Sequence, residues 1–320
     1  MPVSRLDARL RLLAAAVLFS TGGAAIKAAS LTGWQVSSFR SGIAALAVWL
    51  LVPAARRRWS RPVLAVASVY AATMVLFVIA NKRTTSANAI FLQSTAPLWV
   101  LLAGPALLGE RTTRRDLLFM GVVALGMTCF FIGDDVPQAT APDPFGGNVI
   151  AALSGIAWAG TVLGLRWLGR GGRHPSGGLP RAGPAAREAP SADGDAGLTT
   201  VVAGNVLACV VGLPFALPVS GAGTTDWLVV LYLGVVQIGL AYLALSTAMP
   251  HVPALEASTL LLVEPALNPV WAYLAHGERP GPLSWVGGTL IVLAAVAKTW
   301  WDTRRPVSPA TLPSGGAPLD

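Results

Sequence analysis

Charge is scarce in this chain of 320 residues. Asp, Glu, Lys and Arg together make up 12% of it, about half the ~25% of soluble domains. In their place stand apolar runs of roughly twenty residues, each long enough to cross a ~30 Å bilayer core at ~1.5 Å per residue. That excludes a large soluble enzyme. Cysteine is nearly absent: Cys129 and Cys209 both fall in apolar runs, which excludes a disulfide framework and leaves apolar packing. Histidine occurs only at His174, His251 and His276, too scattered for a His-Glu-x-x-His metal site. Asp134-Asp135 stands alone as a solvated turn, whereas a membrane protease needs paired aspartates and prenyl transfer needs two aspartate-rich motifs. No catalytic residue, metal or cofactor is therefore expected. Nor do aromatic residues interleave with a basic patch, so the net charge of +8 does not point to nucleic acid.

What is present is an all-α polytopic membrane pattern. Ten spans are predicted at 10–29, 34–53, 62–81, 86–108, 115–133, 147–168, 197–218, 226–248, 253–275 and 282–301, separated by Pro- and Gly-rich breakers. Arg5, Arg9 and Arg11 before the first run resemble a secretory signal. The run is long, however, holds Lys27 and is followed at once by a second span, so it is read as a retained helix. Placing the N-terminus inside puts 18 of the 23 Lys and Arg on the cytoplasmic side. The positive-inside rule then sets both termini in the cytoplasm. Residues 169–196, rich in Gly, Pro and Arg, read as a flexible cytoplasmic linker, and 306–320 as a disordered tail.

The chain also repeats itself. Pro97 and Gly109-Glu110-Arg111 recur 168 residues later as Pro265 and Gly277-Glu278-Arg279. Two copies of one unit are implied, spans 1–5 and 6–10, so that 1–168 holds the first copy and span 6, and 197–305 the rest of the second. Five spans per copy is odd, so the copies thread the membrane in opposite senses, as in many alternating-access transporters.

On these residues the chain resembles the EamA-like branch of the drug/metabolite transporter superfamily, from about Leu12 to Trp300. The shared pattern is Pro97…Leu108-Gly109-Glu110-Arg111 and Glu264-Pro265…Gly277-Glu278-Arg279. The resemblance implies a metabolite transporter of the inner (plasma) membrane, exporting by family habit, with spans 1–4 and 6–9 around a central cavity and spans 5 and 10 peripheral. His276 departs from the aliphatic residue usual before the second Gly-Glu-Arg, and the linker is unusually long.

Polar groups inside spans usually face a bundle interior or a cavity. Glu264 lies eleven residues into span 9, roughly 16 Å along the helix. It reads either as a cavity carboxylate for a cation or coupling proton, or as a cap for backbone freed by Pro265. Glu256, Leu260, Glu264, Leu267 and Trp271 fall within about 80° of a helical wheel, with Asn268 beside them. Glu256 alternatively sits at the interface. Asn88, Thr95 and Trp99 share a face of span 4, where Trp99 either stacks on substrate or packs. Lys27 and Arg40 lie toward the external ends of spans 1 and 2, and either snorkel or flank an outer opening. Gln237 and Tyr242 on span 8 complete the cavity set. Pro97, Glu110, Arg111, Pro265, Glu278 and Arg279 read as gate or fold-locking elements, each carboxylate needing a partner because it opposes a helix C-terminal dipole. Gly121, Gly126, Gly287 and Gly288 on spans 5 and 10 permit close helix contact, within the chain or in a homodimer. The expected partners are thus a small-molecule substrate and the bilayer. A lipid-carrier flippase with a laterally open cavity is the alternative; an intramembrane enzyme lacks its constellation.

Overall fold

The structure is a computed structural model and describes residues 5–108, 113–132, 136–169, 191–252, 257 and 260–303. Thirteen α-helices carry these residues. The first predicted span is two of them, α1 (Arg5–Ser20) and α2 (Gly22–Ala28), broken at Thr21. Next come α3 (Gly33–Leu51), α4 (Arg61–Arg83), α5 (Ser86–Gln93), α6 (Ala96–Leu108), α7 (Arg114–Ile132), α8 (Pro144–Gly169) and α9 (Ser191–Ala216). A π-helical stretch, Tyr232–Leu240, joins α10 (Thr224–Leu231) to α11 (Ala241–Ala248). The last two are α12 (Val263–His276) and α13 (Pro282–Thr303). Among the described residues the only β pairing is the isolated bridge Gln138–Ala141.

Eight stretches are long and apolar enough to cross a membrane, rather than the ten predicted. The helix α3 has the length but is diluted by Gln35, Arg40 and three serines, and α12 has only 14 residues. The predicted linker is also shorter than expected, since α9 already begins at Ser191. Asp193 and Asp195 stand in its opening turns, where acidic residues suit the helix dipole. Residues 170–190 and the predicted tail lie outside the described residues.

Local chemistry sets the helix ends. Thr32 and Gln35 form a capping box at the start of α3, and Ser60 caps α4 with Pro62 in its first turn. Thr85 caps α5, accepting from the Asn88 N–H. Gly277 ends α12 at φ 64°, a left-handed backbone that glycine adopts freely. The repeated prolines explain two further ends. A proline cannot donate to the carbonyl one turn earlier and its ring clashes there. Accordingly the helix breaks at Ser94–Thr95, just before Pro97, and at Leu262, just before Pro265. Each proline then occupies the first turn of the new helix, where no donor is missed.

The bundle is polar within and apolar without. Ser37, Ser38, Arg40, Ser41, Asn205 and Asn268 are buried, while Leu117, Leu125 and Ile132 on α7 and Val286, Leu293 and Trp300 on α13 are exposed. In water such a shell would be a large adhesive patch; in a bilayer it is the lipid face, and the chain is a multi-pass membrane protein. Inside, α4 packs on α8 and α9, α3 on α9 and the π-stretch, α1 on α11, α5 and α6 on α8, and α12 on α1, α2 and α5. The pair α7 and α13 packs apart from these. A Cβ at Gly126 would stand 2.9 Å from the Gly287 carbonyl oxygen, and one at Gly288 would strike Phe91. Three of the four glycines expected at a helix contact are thus used within the chain, and only Gly121 faces open space.

Candidate substrate site and its closing seam

Two polar assemblies stand out, and they differ in whether their charges are matched. The first joins the ends of α2 and α12. The turn at Gly277 brings Glu278 back against the bundle, where its Oε1 lies 2.7 Å from Lys27 Nζ, both side chains 1% exposed. Every remaining valence is used. Lys27 Nζ also donates to the Thr84 carbonyl at 2.8 Å and to the Thr140 carbonyl. Glu278 accepts from the Ser86 N–H at 2.7 Å and the Thr140 hydroxyl at 3.0 Å. Around this pair, His276 bonds the Ala24 carbonyl at 2.8 Å and Lys82 donates to the Ala29 carbonyl at 2.6 Å. Ser30 donates to Asp226 from both N–H and hydroxyl. A buried pair is stable only when its other hydrogen bonds are satisfied, and here they are. Neither of the two readings of Lys27 applies: it does not snorkel, and its anion belongs to the chain itself.

The second assembly lies at mid-depth. Arg40 is seven residues into α3, Tyr70 nine into α4 and Asn205 nine beyond Ala196 in α9, or about 10–14 Å along their helices. Tyr70 and Tyr242 hydroxyls are 3.3 Å apart, and Asn205 Nδ2 donates to Tyr70 at 3.2 Å. Phe19 meets the Tyr242 ring edge-on at 5.4 Å. Arg40, 2% exposed, is the largest fully buried side chain and lies in Coulombic range of both phenols. Its polar contact is Met74 Sδ at 3.7 Å, and its Nε has no partner. It is therefore too deep to snorkel. Half-buried Glu264, in the first turn of α12, lies in Coulombic range of Tyr242. No hydrogen bond or ion pair reaches it among the described residues.

The other predicted cavity residues divide between the two. Asn268 is buried beside Gly23 and Ser86, so close that a Cβ on Gly23 would lie 2.7 Å from its Oδ1. Trp271 Nε1 donates to Ser20 at 2.9 Å, and Gln237 donates to the Phe19 carbonyl at 3.3 Å. Both therefore tie span 8 or α12 to the break in the first span. Asn88, Thr95 and Trp99 do not form one face, because the break at Ser94–Thr95 comes between them. Asn88 bonds Asn148 at 3.2 Å, while Trp99 donates to Thr95, whose hydroxyl donates to the Leu92 carbonyl across the break. Arg279 is exposed, its backbone bonded to Gln138. Glu110, Arg111, Glu256 and Asp134-Asp135 lie outside the described residues. Sequence reasoning missed Tyr70 and Asn205, although Tyr70 is one of only four tyrosines and Asn205 is a lone amide in an apolar run.

Comparison with known proteins agrees with this architecture. The pseudopaline exporter CntI of Pseudomonas aeruginosa is 27% identical over 300 residues, covering 88% of this chain and 92% of its own. The threonine/homoserine exporter RhtA of Escherichia coli K12 is 26% identical over 222 residues, covering 64% and 63%. A crystal structure at 20% identity shares the fold, with a TM-score of 0.57 over 94% of this chain and 99% of that one. The model of the EamA-like transporter family matches residues 9–132 and 192–299. By that match, which spans most of its length, the chain belongs to the EamA-like transporter family, a family of transporters and not of enzymes.

Proposed function

We propose that the protein is a secondary transporter that exports a small organic metabolite across the inner (plasma) membrane by alternating access. Ten spans form two inverted five-helix repeats, with both termini cytoplasmic. One observation carries this: the helix breaks at Ser94–Thr95 and Leu262 share the 168-residue offset of Pro97 and Pro265. Discontinuous helices at matching places in two halves are the usual makers of a midplane site. The packing supports the same symmetry. Exchanging each span with its repeat partner turns α4 on α8 into the π-stretch and α11 on α1. It likewise turns α4 on α9 into the π-stretch on α3, and α5 and α6 on α8 into α12 on α1 and α2. The contacts α3 on α9 and α7 on α13 map onto themselves.

In this orientation the Lys27–Glu278 seam closes the external side. Export then requires it to part, and Glu264 carries the coupling proton. The test uses a chain lacking Cys129 and Cys209, with Lys27→Cys and Glu278→Cys. Cells expressing the cysteine-free parent release at least one metabolite that empty cells retain; oxidative cross-linking of the pair abolishes the release and a reductant restores it. Undiminished release after complete cross-linking would overturn alternating access at this seam. An apolar groove of about 440 Å³ between α2, Tyr232 and α12, open to the surface, favours a lipid-carrier flippase as the second reading. That reading gains if labelled lipid carriers, and no soluble metabolite, change sides.

A further inference from the structure

We infer that the mid-depth site takes a zwitterion, an amino acid or amino-acid-like compound, with its carboxylate on Arg40 and its ammonium group on Glu264. The inference rests on the transporter reading and names its substrate class. The argument starts from cost. A guanidinium cannot shed its proton in a protein, so Arg40 is a permanent cation. Inside a membrane protein such a group is normally paired. Here its polar neighbours are a thioether, a weak acceptor, and two phenols engaged with each other and Asn205. No described carboxylate pairs with it. The same chain pairs its other buried charges thoroughly: Lys27 with Glu278, and Asp116 with Lys298 at 2.7 Å. Arg40 is the exception, and the exception sits at mid-depth between the two halves.

Glu264 supplies the other pole. It stands on the second copy as Arg40 stands on the first, and is equally without a partner of opposite charge. The two do not pair with each other, yet both lie in Coulombic range of Tyr242. A fork of N–H donors fits a planar carboxylate, and a carboxylate fits an ammonium group. A simple anion would leave Glu264 unmatched and a simple cation would leave Arg40 unmatched; only a ligand with both charges neutralises the site. Such a ligand spans α3 and α12, so its arrival ties the two halves together, and occupancy can bear on their relative movement.

The test measures ligand-induced changes in the melting temperature of the full-length protein in nanodiscs. The probes are the protein amino acids, β-alanine and γ-aminobutyrate, each beside its decarboxylated amine and its deaminated acid. At least one zwitterion is expected to raise Tm, while its amine and acid do not. Glu264→Gln and Arg40→Lys should each weaken that zwitterion by about tenfold or more, the scale of one lost charge-assisted hydrogen bond. Arg40→Lys keeps the charge and removes only the fork, so the unliganded Tm tells a lost site from a lost fold. A shift by the acid or the amine equal to that of the zwitterion overturns the inference, as does no shift by any zwitterion. If the cross-link experiment still shows seam-dependent release in those cases, the transporter reading stands and only the substrate class falls. A zwitterion that binds without any release by cells sinks the transporter reading instead.

Discussion

The seam and the mid-depth cluster put similar side chains to opposite uses. At the seam, Lys27 and Glu278 are buried and every charge meets its opposite with backbone and hydroxyl groups in support. In the cluster, Arg40 and Glu264 sit apart, each with its complement missing. Burying a matched pair adds to the rigidity of a closed state; leaving a charge unmatched sacrifices stability to keep a binding site. The contrast teaches that burial does not itself mark function in a membrane protein. The state of a charge's partners does.

Breaking the seam should have the largest effect. Lys27→Ala or Glu278→Ala leaves one buried charge uncompensated and should cost about 3–5 kcal/mol, read as a fall in Tm and in yield of folded protein. Lys27→Met with Glu278→Leu should cost less than either single change, since no charge is stranded. A double change as costly as the sum of the singles would mean the pair is not coupled. The cluster should respond with the reverse sign. Arg40→Met removes an unmatched buried charge and should leave stability unchanged or raise it by about 1–4 kcal/mol, while release of the exported metabolite is lost. A strongly destabilised Arg40→Met protein would show that Arg40 is a fold element like Lys27.

Two smaller effects bracket the comparison. Gly126→Leu places a side chain against the Gly287 carbonyl and should cost about 1–3 kcal/mol through overpacking, measured by thermal unfolding. An unchanged Tm would mean that α7 and α13 can separate freely. Lys298→Met removes a pair that is 20% and 8% exposed and should cost about 1 kcal/mol or less, well below the seam although its distance is the same.

Much of this was legible in the sequence. The apolar runs located the helices, and the Pro97/Pro265 repeat pointed to the two places where they break. Gly-Glu-Arg marked Glu278, but its partner Lys27 was not legible, because helix periodicity says nothing about which distant helix a face will meet. The same limit hid the cluster. Arg40 was expected near an interface from its distance to the end of its span; burial depends on how neighbouring helices cover it, and α3 is enclosed by α4, α9 and the π-stretch. Asn88, Thr95 and Trp99 were grouped by counting through an unbroken helix, and the break at Ser94–Thr95 undid the count. Tyr70 and Asn205 lacked any motif. They become visible only when a phenol in one helix is seen beside an amide far along the chain.

The Lys27–Glu278 bridge also imposes an order on synthesis. Lys27 belongs to the first apolar segment to reach the membrane, whereas Glu278 emerges after nearly all of the chain has left the ribosome. Until then the amine has no anion and must keep its reach to water or headgroups, so α2 cannot take its final seat. The bridge is thus a completion signal: a chain released before residue 278 carries an unneutralised lysine in its first segment, and surveillance proteases have a feature by which to tell it from the finished protein.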